Sequence, residues 1–194
     1  SMAKKAEWID GIFERLACNH WFNGAVIYGE QGHVVYEKAF GLSNFYSKDT
    51  LTLNSAFQLA SVSKMITAMA VMILQERDAL SYDETIQQYI PDFPYDGISI
   101  RMLLTHRSGL SRYMSLAHDK WENKRVPMSN DDMLELYKKY EPKPYFSPDN
   151  GFHYCNTNYA LLSSIVERAS NMPFERFVEE EIFLPLGMND SFIY

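Results

Sequence analysis

Apolar side chains recur at Trp8, Ile9, Ile12, Phe13 and Leu16. That spacing keeps them on one face of a 3.6-residue helix, so Ala3 to Cys18 is expected to form an amphipathic helix lying across a sheet. Two β-rich runs follow, Gly24 to Gly29 and His33 to Phe40, flanking Glu30-Gln31-Gly32. Glycine supplies the positive φ of a tight turn there, and the two runs read as one β-hairpin. After a polar loop from Ser43 to Asn54 the pattern changes. A helix is expected from Ser61 to about Arg77, and its stretch Met65 to Leu74 is apolar nearly all round, as suits a helix in the middle of a domain.

The rest of the chain reads as mainly helical. A short helix is expected near Asp83 to Tyr89, then a turn from Pro91 to Gly97, then a periodic run through Ile98, Met102 and Leu103 that ends at Gly109. Asp131 to Tyr140 is a further helix, and Glu141 to Gly151, with three prolines and an Asn-Gly step, is loop. Leu162, Ile165, Val166 and Ala169 support a helix from about Thr157 to Ser170, and Pro173 opens a last one bearing Phe174, Phe177 and Val178. The expected fold is α+β, a single domain over residues 1–194 with an incomplete antiparallel sheet flanked by a mainly helical region. A lone hairpin is marginal in water, so the sheet reads as short of strands.

Composition narrows the partners. Eighteen basic against 25 acidic residues give a formal charge of −7, and the basic residues form no stripe able to neutralise a run of phosphates, so nucleic acid is not an expected partner. The longest apolar stretch falls well short of the ~20 residues that cross a bilayer, and no transmembrane segment is expected. Ser1-Met2-Ala3-Lys4-Lys5 lacks the apolar core and cleavage site of a signal peptide and resembles the scar of a cut purification tag. Cys18 and Cys155 are too few for a disulfide framework and read as free thiols. His20, His33, His118 and His153 have no metal-binding spacing, and no Gly-rich phosphate loop follows either strand, so neither a metal nor a nucleotide cofactor is implied.

Candidate chemistry lies in two short segments. Serine is a weak nucleophile until a neighbour takes its proton. Ser61-Val62-Ser63-Lys64 sets a lysine amine three residues on, along the same helical face, at a helix start where unpaired N–H groups favour developing negative charge. The spacing is not diagnostic by itself, because Ser1-Met2-Ala3-Lys4 repeats it. Tyr154-Cys155-Asn156 sits where the Pro-rich loop enters a helix, a place from which a phenol and an amide can both face a cleft. The alternative is Asn156 as a helix cap and Tyr154 as a core residue. His106 reads as a structural residue in a turn after a helix.

Taken in order and spacing, Ala60-Ser61-Val62-Ser63-Lys64, Leu103 to Leu110 (LLTHRSGL), Tyr154 to Leu162 (YCNTNYALL) and Pro185-Leu186-Gly187-Met188 resemble the class C β-lactamase and penicillin-binding-protein family of serine hydrolases. The resemblance implies that Ser61 forms an acyl-enzyme, that Lys64 and Tyr154 share its proton transfers, and that Asn156 hydrogen-bonds the substrate amide or Lys64. It implies that the backbone N–H of Ser61 is half of an oxyanion hole. Because an ammonium beside a phenol favours the phenolate, either Lys64 or Tyr154 can be the base. Implied substrates are small molecules or peptides: β-lactams, D-alanyl peptides or small esters. Family members in bacteria commonly work outside the cytoplasmic membrane, which makes a periplasmic or extracellular location the implied one.

The family's third motif, Lys-Thr-Gly or His-x-Gly on a late strand, has no match in this chain. The chain is therefore expected to be an amino-terminal part, and losing half an oxyanion hole costs ~3 kcal/mol of transition-state stabilisation. Two other functions follow from that expectation: a non-catalytic binding or sensor module, and a fragment that needs a carboxy-terminal partner. An uncovered hairpin edge over Gly24 to Phe40 is also expected to pair with a second copy, as a homodimer or a strand swap.

Overall fold

The computed structural model describes residues 1–193, and the chain divides into two compact units, Ser1–Gln58 and Leu59–Tyr194. In the first, α1 covers Met2–Cys18. β1 (Gly24–Glu30) and β2 (His33–Phe40) pair antiparallel, from Gly24 opposite Phe40 to Glu30 opposite His33. Their turn has two residues, Gln31 and Gly32, with φ of 52° and 77°, and positive φ at both central positions matches the twist of the flanking strands. α1 lies along β2. Lys38 reaches Asp10 and Glu14, the Tyr36 hydroxyl donates to Asp10 at 2.9 Å, and the Phe13 ring stands 4.9 Å from Phe22 and 6.2 Å from Phe40 between centroids. Burial, then Asp10, pushes the Tyr36 phenol up to about 12.

The polar stretch after the hairpin is more ordered than its composition suggests. It folds back on itself as β3 (Leu42–Asn44) and β4 (Asp49–Thr50). Gly41 turns the chain into β3 at φ 89°, where a Cβ would stand 2.0 Å from Asn23 Oδ1, and the Asn23 amide ties down both the N–H and the carbonyl of Leu42. Polar residues held by such local bonds leave no hydrophobic period to read. Among the described residues no third strand joins β1 and β2.

The second unit is helical. A 3-10 turn over Ala60–Ser63 precedes α2 (Lys64–Glu76), and a 3-10 turn over Ile86–Gln88 replaces the short helix expected near Asp83 to Tyr89. Then come α3 (Ile100–Leu104), α4 (Tyr113–Lys120), α5 (Asn130–Tyr140), α6 (Asn156–Ser170) and α7 (Phe174–Val178), which runs on as a π turn over Glu179–Phe183. α5 starts from a capping box between Ser129 and Asp132. The central helix is α6: Leu161, Leu162, Ile165 and Val166 are each 0% exposed, and α6 meets α2, α3, α5 and α7.

One expectation changes here, and one helix, α4, has no counterpart in the sequence pattern. α2 is apolar by sequence but not buried all round: Thr67, Ala70, Val71 and Leu74 face the core, while Met65, Met69 and Met72 lie exposed. α4 has no clear period, because Leu116 is its one buried residue, and a helix held by so little gives no stripe. Among the described residues no helix is long and apolar enough to cross a membrane.

Candidate active site

The candidate serine sits at a strained point. Ala60, immediately before Ser61, has φ 47°, a left-handed conformation that costs a side-chain-bearing residue about 1–2 kcal/mol. The chain then passes through the 3-10 turn, so the helix proper begins only at Lys64. One turn along, the Lys64 Nζ donates to Ser61 Oγ at 3.2 Å. Ser61 itself is exposed, and its backbone N–H has no acceptor among the described residues.

Tyr154 and Asn156 arrive from about ninety residues away. The Leu103 to Leu110 segment and the loop before Tyr154 run side by side through main-chain bonds: Tyr145 N–H to Gly109 O at 2.8 Å, Asp149 N–H to Arg107 O at 2.9 Å, and His153 N–H to His106 O at 2.9 Å. At Gly109, φ is 79° and a Cβ would lie 2.0 Å from the carbonyl oxygen of Phe146, so only glycine permits this close approach. So guided, the Tyr154 hydroxyl donates to Ser61 Oγ at 2.8 Å, and the Lys64 Nζ donates to Asn156 Oδ1 at 2.8 Å. All four residues singled out in the sequence, Ser61, Lys64, Tyr154 and Asn156, therefore meet in one hydrogen-bonded cluster. The capping reading of Asn156 does not hold, since Cys155 occupies the cap position and Asn156 opens α6.

His106 supports this cluster from below. It is buried, adopts φ 57°, and its Nδ1 accepts from the Cys155 N–H at 3.3 Å, with Asn158 Nδ2 at 3.0 Å. Its ring lies 4.6 Å from that of Tyr154. Asn158 in turn accepts from the Ser108 hydroxyl at 2.6 Å. This agrees with a structural histidine in a turn. Electrostatics differ between the two aromatic groups. Hydrogen bonding to Lys64, then to Ser61, draws the Tyr154 phenol below its ordinary value, whereas burial, then the Lys64 charge and His153, lowers His106.

Beside Tyr154 and Asn156 opens a cavity of about 260 Å³ walled by Arg112, Tyr113, Met114, Tyr154, Asn156 and Thr157. Arg112 to Met114 are not legible as site residues in the sequence, because the start of α4 carries neither a motif nor a period. Among the described residues no group of three or more His, Cys, Asp or Glu is placed to hold a metal ion. Cys18 is exposed and Cys155 buried, and both are free thiols.

The family model described as Beta-lactamase matches residues 9–194. The chain belongs to the beta-lactamase family. It is 38% identical over 190 residues to Penicillin-binding protein 4* of Bacillus subtilis (strain 168), covering 98% of this chain and 42% of that protein. To Esterase EstB of Burkholderia gladioli it is 29% identical, covering 97% of this chain and 51% of that protein. The chain thus spans about half the length, or less, of these relatives. Among solved structures, the penicillin binding protein from Bacillus halodurans superposes with a TM-score of 0.78 at 28% identity, over 93% of this chain and 55% of that one. A class C beta-lactamase superposes with a TM-score of 0.80 at 23% identity, over 97% and 50% of the two chains, which bears on the fold alone. The beta-lactamase-family fold expected from the sequence is the fold found.

Proposed function

We propose that this beta-lactamase-family chain carries the nucleophile and the proton-transfer groups of a serine hydrolase, with Ser61 as nucleophile acting on a β-lactam, a D-alanyl peptide or a small ester. The observation that carries this reading is the convergence on one oxygen: Ser61 Oγ lies 2.8 Å from the Tyr154 hydroxyl and 3.2 Å from Lys64 Nζ. In acylation, Ser61 Oγ bonds to the substrate carbonyl carbon while its proton passes to the Tyr154 phenolate or the Lys64 amine. The scissile C–N or C–O bond then breaks, and the same base returns the proton to the leaving nitrogen or oxygen. Water, deprotonated by the same pair, releases the acyl group and restores the serine.

Each group has a reason to fit. Hydrogen bonding to Lys64, then to Ser61, lowers the Tyr154 phenol and so favours the phenolate form that a base requires. Asn156, by accepting from Lys64, fixes the amine beside Ser61 and leaves its own amide nitrogen toward the cavity side, 3.8 Å from Met114 Sδ. The unpaired N–H of Ser61 supplies one oxyanion donor. The family match runs across both compact units, which supports reading residues 1–194 as parts of one domain. The unjoined β1–β2 pair supports association of two copies through that edge, and a monomeric mass independent of concentration would rule this out.

Intact-mass spectrometry after exposure to a penicillin and to an activated ester tests the reading. The parent is expected to gain one acyl group and Ser61→Ala none. Folded parent protein without an adduct from either reagent would mean that this chain alone does not perform the chemistry.

A further inference from the structure

Arginines in this chain are mostly spoken for. Arg77, Arg101, Arg107, Arg168 and Arg176 each hold a carboxylate. Arg112 does not: among the described residues its guanidinium has neither an ion pair nor a hydrogen bond, although the chain carries a charge of −7. It lines the cavity beside Tyr154 and Asn156, and no lining residue is acidic. The lining is otherwise tyrosine, methionine, threonine, cysteine and asparagine.

The backbone around Arg112 is also fixed. On one side, the Ser111 carbonyl accepts from the Thr157 hydroxyl at 2.8 Å and from the Tyr137 hydroxyl at 2.6 Å. On the other, the Tyr113 N–H donates to Thr157 Oγ1 at 2.9 Å. Thr157 follows Asn156 directly and is 0% exposed. The backbone on both sides of Arg112 is thereby pinned to the segment that carries Tyr154 and Asn156. An exposed guanidinium carried by this pinned backbone, without a counter-ion among the described residues, presents a planar fork matched to the two oxygens of a carboxylate.

We propose that Arg112 is a specificity-determining residue, and that the preferred acyl donors carry a carboxylate which pairs with it in this cavity while Ser61 attacks their carbonyl. The inference rests on Ser61 being the nucleophile. Its lining suits a short apolar arm ending in a charge: Tyr113 and Met114 flank the arm, and Arg112 takes the end. Lys64 is already engaged by Asn156 and Ser61, so it does not compete for that charge.

A matched pair of probes tests this: the thiophenyl monothioester of glutaric acid and its primary-amide counterpart, of nearly equal size and differing by one charge. Binding is measured by calorimetry on Ser61→Ala protein, which cannot be acylated, and acylation by intact mass on the parent. The acid is expected to bind and acylate roughly tenfold or more better than the amide, the usual scale of a charge-assisted hydrogen bond. In Arg112→Gln the acid-to-amide ratio is expected to fall to about one, and in Arg112→Lys to remain above one, since the charge persists. Equal binding of acid and amide to Ser61→Ala protein, or a preference that survives Arg112→Gln, would overturn the inference. Absence of an adduct from either thioester would count against the nucleophile instead, and the binding ratio would still decide the role of Arg112.

Discussion

The two compact units are held in different ways. In Ser1–Gln58 the buried hydrophobic side chains are Phe40 and Leu51, and α1 buries none of its residues. Its helix and hairpin are joined by phenylalanines and by ion pairs of Lys38 and Lys5 with carboxylates that remain partly open to solvent. In Leu59–Tyr194 a continuous core surrounds α6, with Ala70, Val71, Ile100, Leu103 and Tyr137 all at 0% exposure. Screened surface pairs stabilise little, whereas each fully buried aliphatic side chain contributes about 1.5–3 kcal/mol. The strained and solvent-open features of the candidate site, Ala60 at φ 47° and an exposed Ser61, therefore sit on the unit best able to hold them.

That contrast is breakable. Leu162→Ala, at the centre of α6, is expected to cost about 2–5 kcal/mol because it leaves a cavity in a packed core. Phe13→Ala in α1 is expected to cost clearly less. Denaturant unfolding of both variants checks this, and equal losses would mean that the first unit is as tightly built as the second.

An intermediate effect is expected from pH. His106 has its value lowered from the ordinary 6.5 by burial, Lys64 and His153, so the unfolded chain takes up its proton first. The stability it protects is fully present above 6.5 and falls as the pH drops through that value toward the lowered one. The groups that face its ring are Tyr154, Tyr159 and Phe152, with Cys155 and Asn158 at Nδ1. Melting temperatures measured at pH 7.5 and pH 5 should show a smaller acid loss in His106→Asn than in the parent, while an unchanged acid loss would place the effect elsewhere. The smallest change is expected from Lys38→Ala. It removes both exposed ion pairs to α1 and should lower the melting midpoint least of all, with that difference vanishing at high salt.

Much of this was readable from single residues in order. α5, α6, the hairpin and the Pro-rich loop follow from local period and turn chemistry, and the Ser61–Lys64 and Tyr154–Asn156 segments stand out as residue patterns. Local reading erred where burial is decided by neighbours. The methionines of α2 look like core in sequence, yet Met65, Met69 and Met72 are exposed because α6 packs against only one side of that helix. α4 was silent because one buried leucine makes no period.

The sequence by itself determined which side chains are available: a serine with a lysine one turn on, a phenol and an amide two residues apart, and helices with a face to bury. These are local matters, set by spacing along one strand or helix. Only the tertiary structure decided that Asn156 accepts from Lys64 rather than capping α6, that Tyr154 reaches Ser61, and that Arg112 stands free beside them. Those outcomes depend on hydrogen bonds between segments 44 to 93 residues apart, such as Tyr113 to Thr157 and Tyr154 to Ser61, and no period or motif along the chain encodes the direction in which a side chain will point once distant segments have packed.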